Sequence, residues 1–230
     1  VEHIPVGVHG FVRLDDSMAD DMSVVNAARV SFARQSSEIH DELSGKDKGL
    51  IRFLMQNRHG TPFEHNSFRF HIKCPLFVAR EWFRHRIGSF NEFSARYSEV
   101  PDEFHLPELS EIRTQVGKPG SYSFEPVSDE IAMDARQIIN AQAIIAHAAY
   151  REMIDMGVAK EVARMVLPVS MMTQFYWTVN ARALMNFLSL RMESNAQLEI
   201  RQYAQAVSEF FKITMPVTYE AWIDNGMTAP

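Results

Sequence analysis

Ser67-Phe68-Arg69-Phe70-His71-Ile72-Lys73, running straight into Cys74-Pro75-Leu76-Phe77-Val78-Ala79-Arg80-Glu81-Trp82-Phe83-Arg84-His85-Arg86-Ile87-Gly88, decides the fold class. The first seven residues alternate strictly. Phe68, Phe70 and Ile72 fall on one face and Arg69, His71 and Lys73 on the other, the pattern of a half-exposed strand. The period then changes. Pro75 suits a first helical turn, Leu76, Phe77, Trp82 and Phe83 supply apolar surface, and Gly88 is a suitable stop, so a helix is predicted over 75–88.

Outward from this strand and helix, 22–32 reads as a helix with acids at its start, and 49–57 as another with Gly60 just past its end. The stretch 101–126 carries Pro101, Pro107, Pro119 and Pro126 with Gly117 and Gly120, and is expected to be a long loop. Amphipathic helical patterns then cover 129–156, 160–167, 180–191 and 195–214. The chain is therefore expected to be α+β, with an N-terminal half mixing sheet and helices and a largely helical C-terminal half. No internal repeat, charge block or low-complexity tract marks a boundary, so 1–230 reads as a single domain.

With 230 residues, 46% hydrophobic and 11% aromatic, the chain can bury a substantial core. A net charge of −6 argues against a protein whose main task is holding nucleic acid, which needs a broad basic face. Arginine nonetheless outnumbers lysine 17 to 6, a bias toward shaped recognition of small anions. Cys74 is the only cysteine, so no intramolecular disulfide can form. The stretch VEHIPVGVHG has no basic segment leading into an apolar one, and no apolar run is long enough to span a bilayer. A cytoplasmic protein without membrane or nucleic-acid partners is expected.

The chemistry concentrates between Arg84 and Glu99, where three arginines, a histidine, two acids and three serines surround a few aromatic rings. In one reading Arg84, His85 and Arg86 are only a basic last turn complementing the helix dipole. In the other, Asn91, Glu92, Ser94 and Arg96 continue the cluster beyond the helix stop and make an anion site. The glycines form neither G-x-G nor G-x-x-x-x-G-K, so a bound diphosphate would need arginine side chains, hydroxyls or helix N-termini.

Ser94 lacks a G-x-S-x-G elbow and reads as a phosphate ligand, while Cys74, at a strand end before a proline, reads as packing. His59, His65, His71 and Cys74 follow no zinc template, so no metal is expected. A non-enzymatic nucleotide- or RNA-binding module is the alternative to an enzyme, with Arg84, Arg86 and Arg96 beside the stacking rings of Phe90, Phe93 and Tyr97.

Arg84-His85-Arg86, seven residues and then Ser94 resembles the signature of the flavin-dependent thymidylate synthases, the ThyX family. AARVSF (27–32), HGTPFEH (59–65), FVAREWFRHR (77–86), EVARMVLP (161–168) and WTVNARALMNFLSLR (177–191) resemble it too, in the family's order. The resemblance implies FAD held by Ser31, His59, Thr61, Arg84, His85, Arg86, Glu92, Asn180, Arg182 and Asn186, outside any Rossmann fold. By position alone, Asn180 reads equally as an N-cap and Arg182 as surface charge.

For deoxyuridine monophosphate (dUMP) the resemblance implies Glu81, Arg84, Glu92, Ser94, Ala95, Arg96, Arg164 and Arg191, with Arg191 catalytic against the uracil edge. Read without the family, Arg191 is a helix-end cation. The implied reaction makes dTMP from dUMP, with 5,10-methylenetetrahydrofolate giving the carbon and flavin reduced by NADPH giving the hydride. The family also implies a homotetramer with shared sites, Arg164 reaching a nucleotide bound mainly by another chain. Glu81 stands where the family often has glutamine, and Asn195 where histidine is frequent.

Overall fold

The structure is a computed structural model and describes residues 3–32, 43–118 and 121–230. The chain opens on an antiparallel hairpin, β1 (His3–Val6) and β2 (Gly10–Met18). Gly7 closes it at a φ of 64°, a conformation in which a Cβ is disfavoured. Helix α1 (Asp21–Arg29) follows, its N-cap Asp20 accepting from the Ser23 amide, and Val30–Phe32 tightens into a 3-10 turn. Helix α2 (Gly45–Gln56) begins before the predicted residue 49, because Ser44 and Asp47 form a capping box that satisfies its first amides.

β3 (Ser67–Pro75) carries the predicted alternation, and Phe68, Phe70 and Ile72 are fully buried. The helix expected over 75–88 is shorter: α3 (Leu76–Trp82) stops at its C-cap, Phe83. Arg84, His85 and Arg86 are therefore not its basic last turn but a turn beyond it, with the His85 amide bonded to the Trp82 carbonyl. Gly88 does not stop the helix. It lies against the sheet, where a Cβ would come within 2.9 Å of the Thr178 carbonyl and Trp177 Nε1, so only glycine lets β4 (Ser89–Glu92) approach its neighbour.

The long loop expected over 101–126 contains a hairpin instead, β5 (Arg113–Lys118) with β6 (Ser121–Pro126), and Arg113 stacks over Phe124 at 4.8 Å. Pro119 and Gly120 lie outside the described residues. Helix α4 (Asp129–Asp155) starts on Ser128, which accepts from the Ile131 amide, and α5 (Lys160–Ala163) runs into a 3-10 turn at Arg164–Val166. The C-terminal half is largely helical, as expected, with α6 (Ala181–Arg191), α7 (Leu198–Thr214) and an unforeseen α8 (Pro216–Asp224), while β7 (Met172–Val179) fills the gap between the expected helices.

Five strands form an antiparallel sheet in the order β1-β2-β3-β7-β4, which puts β3 at its centre and β4 at an edge. Its inner face meets α6 and α7 around Trp82, Trp177 and Phe187, with Trp82 and Phe187 stacked at 4.6 Å. Rings of this size dominate core energetics, and their packing fixes where β7 hands over to α6. Among the described residues no helix is long and apolar enough to cross a membrane.

Candidate active site

Arg191, in the last turn of α6, is fixed by its own chain. Nε donates to His85 Nε2 at 2.9 Å, Nη1 to the Glu81 carboxylate at 3.2 Å and Nη2 to the Glu81 carbonyl at 3.3 Å. A guanidinium has five N–H donors, so two remain available. His85 accepts through Nε2, which requires the neutral ring. Burial and the adjacent Arg191 charge accordingly depress its pKa to about 4. Burial also raises the Glu81 carboxyl above its usual range, against the pull of Arg191 and with a push from Glu199.

Arg84, His85, Arg86, Asn180, Arg182, Asn186 and Arg191 line one cleft of about 820 Å³, joined by Glu64, Ile87, Trp177 and Leu190. Two routes converge here: the turn after α3 and the first three turns of α6. Asn180 is the N-cap, accepting from the Ala183 amide at 2.8 Å, so the capping reading holds and leaves its NH2 group over. Arg182 is more than surface charge: it pairs with Glu64 at 2.5 Å and donates to the Pro230 carbonyl at 2.7 Å. Arg84 and Arg86 line the cleft with no carboxylate partner among the described residues. Trp177 Nε1, buried on the same wall, has no acceptor among the described residues.

Glu92, Ala95 and Arg164 line a second hollow, of about 310 Å³, with Phe93, Glu161 and Thr173. Ser94 and Arg96 flank Ala95 at its edge. Glu92 accepts from the Thr173 hydroxyl at 2.7 Å, and Arg96 pairs with Glu161 of α5 at 2.9 Å. The two hollows lie at opposite ends of β4, whose Ser89 and Glu92 pair with Thr178 and Phe175. Three residue steps of a strand separate them by about 10 Å.

Ser31, His59 and Thr61 line neither hollow. His59 stacks on Phe53 at 5.9 Å, and Gly60 packs so tightly on Arg182 that a Cβ would lie 2.5 Å from its Nε. Gly60, between His59 and Thr61, thus meets Arg182 of the cleft directly. His71 and Cys74 are an odd number of residues apart on β3 and face opposite sides of the sheet. Burial, with the charge of Glu92, pushes the Cys74 thiol well above its ordinary pKa, which makes it packing rather than a nucleophile.

A third hollow, about 840 Å³ between the β1–β2 hairpin, α4 and α7, contains none of the residues expected at the site. The residues that sequence reasoning missed are Glu64, Thr173, Trp177 and Glu199. Glu64 and Trp177 stood inside the quoted family-like stretches. Glu199 carried no local signal, because it reaches the site through helix packing.

The family described as "Thymidylate synthase complementing protein" matches residues 13–217. A flavin-dependent thymidylate synthase of Thermosipho africanus is 48% identical over 214 residues, spanning 93% of this chain and 91% of that protein. Its counterpart in Thermus thermophilus is 43% identical over 222 residues, spanning 96% and 78%. Among solved structures, a UMP/dUMP methylase, PolB from Streptomyces cacaoi, bound with 5-Br dUMP, superposes with a TM-score of 0.88 at 42% identity, covering 99% of this chain and all of that one. The same enzyme bound with 5-Br UMP gives 0.87 at 40% identity, covering 96% of each chain. Kinship over nearly the whole length, with the arginine cleft built by the same stretches that carry the signature, means that this chain belongs to the flavin-dependent thymidylate synthases.

Proposed function

We propose that the chain, as a single cytoplasmic domain in a homotetramer, converts dUMP to dTMP with FAD, NADPH and 5,10-methylenetetrahydrofolate. The observation that carries this reading is the cleft itself. Arg84, Arg86 and Arg182, the spare amide of Asn180 and Asn186 offer donors for a diphosphate, and Trp177, Ile87 and Leu190 offer apolar wall. That donor set fits a flavin dinucleotide, with Ser31, His59 and Thr61 reaching it from the rim and Glu92 from a neighbouring chain. When bound, the reduced flavin supplies the hydride.

The residues proposed for one nucleotide divide between two hollows of the same chain. Arg84 and Arg191 line the cleft, with Glu81 bonded to Arg191, while Glu92, Ser94, Ala95, Arg96 and Arg164 belong to the far end of β4. In a tetramer with shared sites, a nucleotide read by both sets is held between two subunits, the phosphate at Ser94, Arg96 and Arg164 of one and the uracil edge at Arg191 of the other. Arg164 and Arg96 then act from the same subunit. Ile131, Ile138 and Ile145, exposed at heptad spacing on α4, give the tetramer an apolar face to close on.

Arg191 is the catalytic group. Its two spare N–H donors aim a permanent positive charge at the oxygen on which negative charge develops as carbon 5 of the base becomes nucleophilic. His85 remains neutral and orients the fork without competing for that charge. The deciding experiment reconstitutes the purified protein with FAD and measures dTMP formation from dUMP, with UMP as competitor because PolB is described as acting on both. Yellow protein that forms dTMP supports the reading. Colourless protein carrying stoichiometric zinc overturns it.

A further inference from the structure

Glu81 lies under the opposed charges of Arg191 and Glu199. The Glu81 carboxylate, half-buried on α3, faces Arg191 of α6 at 3.2 Å and the Glu199 carboxylate of α7, with the neutral His85 ring on the far side of Arg191. Glu199 in turn stands 3.8 Å from His105 Nε2. Arg191 spends three of its five donors inside its own chain, and two of those three bonds end on Glu81. A ligand oxygen that engages the two spare donors shares the Arg191 charge with that carboxylate. Glu81 is then left half-buried near Glu199 with its counter-charge weakened.

We propose that Glu81 is a positioning residue that couples nucleotide binding to proton uptake: the uracil edge engages the two spare donors of Arg191, and the Glu81 carboxylate, its counter-charge now shared, binds a proton from solvent. The step forms one O–H bond and leaves every other bond intact. The inference rests on the reading of Arg191 as the uracil-edge residue. Burial and Glu199 already raise the Glu81 carboxyl against the pull of Arg191, so any weakening of that pull moves it further toward the protonated form. Glutamine at the same position would accept from Arg191 but could not take up a proton, so its binding would lack this linkage.

The test is calorimetric titration of dUMP into the FAD-reconstituted protein, in buffers of differing ionisation heat, which counts the protons exchanged. The phosphate contributes equally to wild type and variants and cancels in the difference. Wild type is expected to take up as much as one proton more than Glu81→Gln. Its Kd should rise up to about tenfold per pH unit through the linked range, where that of Glu81→Gln rises less. Glu199→Gln, which removes the repelling charge and leaves Glu81 in place, should lower the uptake at a given pH.

Equal proton counts in wild type and Glu81→Gln, with dUMP bound by both, overturn the coupling and leave the proposed function standing. Absence of dUMP binding to every form overturns the substrate reading and the coupling with it.

Discussion

The cleft and the small hollow beyond β4 are built on opposite plans. In the cleft, Arg191 is clamped by three hydrogen bonds and backed by the Trp82, Trp177 and Phe187 core, so its geometry exists before any ligand arrives. In the hollow, Arg96 and Glu161 form a pair in which each side chain is about half exposed, at 55% and 51%. Such pairs contribute about 0–1 kcal/mol and exchange readily for a ligand. A rigid fork suits a developing charge whose position must be fixed, and an exchangeable pair suits a phosphate that must enter and leave.

The largest effect expected is on chemistry. Arg191→Ala should lower turnover about 100- to 1000-fold while the protein still binds FAD, read by steady-state kinetics beside flavin absorbance. A comparable loss of flavin would make the cleft a binding device and erase the contrast. Mixed assemblies sharpen it further. Chains carrying Arg164→Ala, co-expressed with chains carrying Arg191→Ala, should regain about a quarter of wild-type turnover, because random pairing leaves that share of shared sites with both hollows intact. Arg96→Ala mixed with Arg164→Ala should regain none, since both lesions strike the same hollow. Recovery in the second mixture would show that the hollows do not serve one ligand in the way proposed.

Stability should divide the two regions as well. Phe187→Ala empties the aromatic core behind the cleft and should cost about 3–5 kcal/mol in chemical denaturation, whereas Glu161→Gln should cost less than about 1 kcal/mol. His85 adds a dependence on pH. Its pKa is 6.5 in the unfolded chain and about 4 in the fold, so the unfolded state binds more protons in between. Its contribution is complete above pH 6.5 and is lost as pH falls through about 4. A His85→Gln protein should show a flatter stability profile over that interval, measured as urea midpoints. An unchanged profile would place a charged ring beside Arg191 and contradict the clamp.

The cleft was the more legible region in the sequence, for a physical reason. Arg84, His85 and Arg86 lie together, and Asn180, Arg182, Asn186 and Arg191 share one helix, so short-range patterns hold most of its parts. The strand at 67–73 was readable because one face is fully buried and the other polar. β7 has the same alternation, with Thr173, Phe175, Trp177 and Val179 buried, but it was hidden among helical signals on either side. β4 was not legible: four residues give too short a period, and its place depends on Gly88 fitting against Trp177. The division of the nucleotide-binding residues into two hollows was equally invisible, because it is a property of where β4 points and not of which residues flank it.

Because β4 joins the two hollows by four pleated residues, their separation is a covalent ruler rather than an outcome of packing. Inserting one residue between Phe90 and Asn91 would lengthen that ruler by about 3.3 Å and turn everything downstream to the other side of the sheet. Within one chain β4 thus sets how far apart the halves of two shared sites stand, and a change in the nucleotide accepted falls to the walls at either end, where side chains can change without resetting that measure.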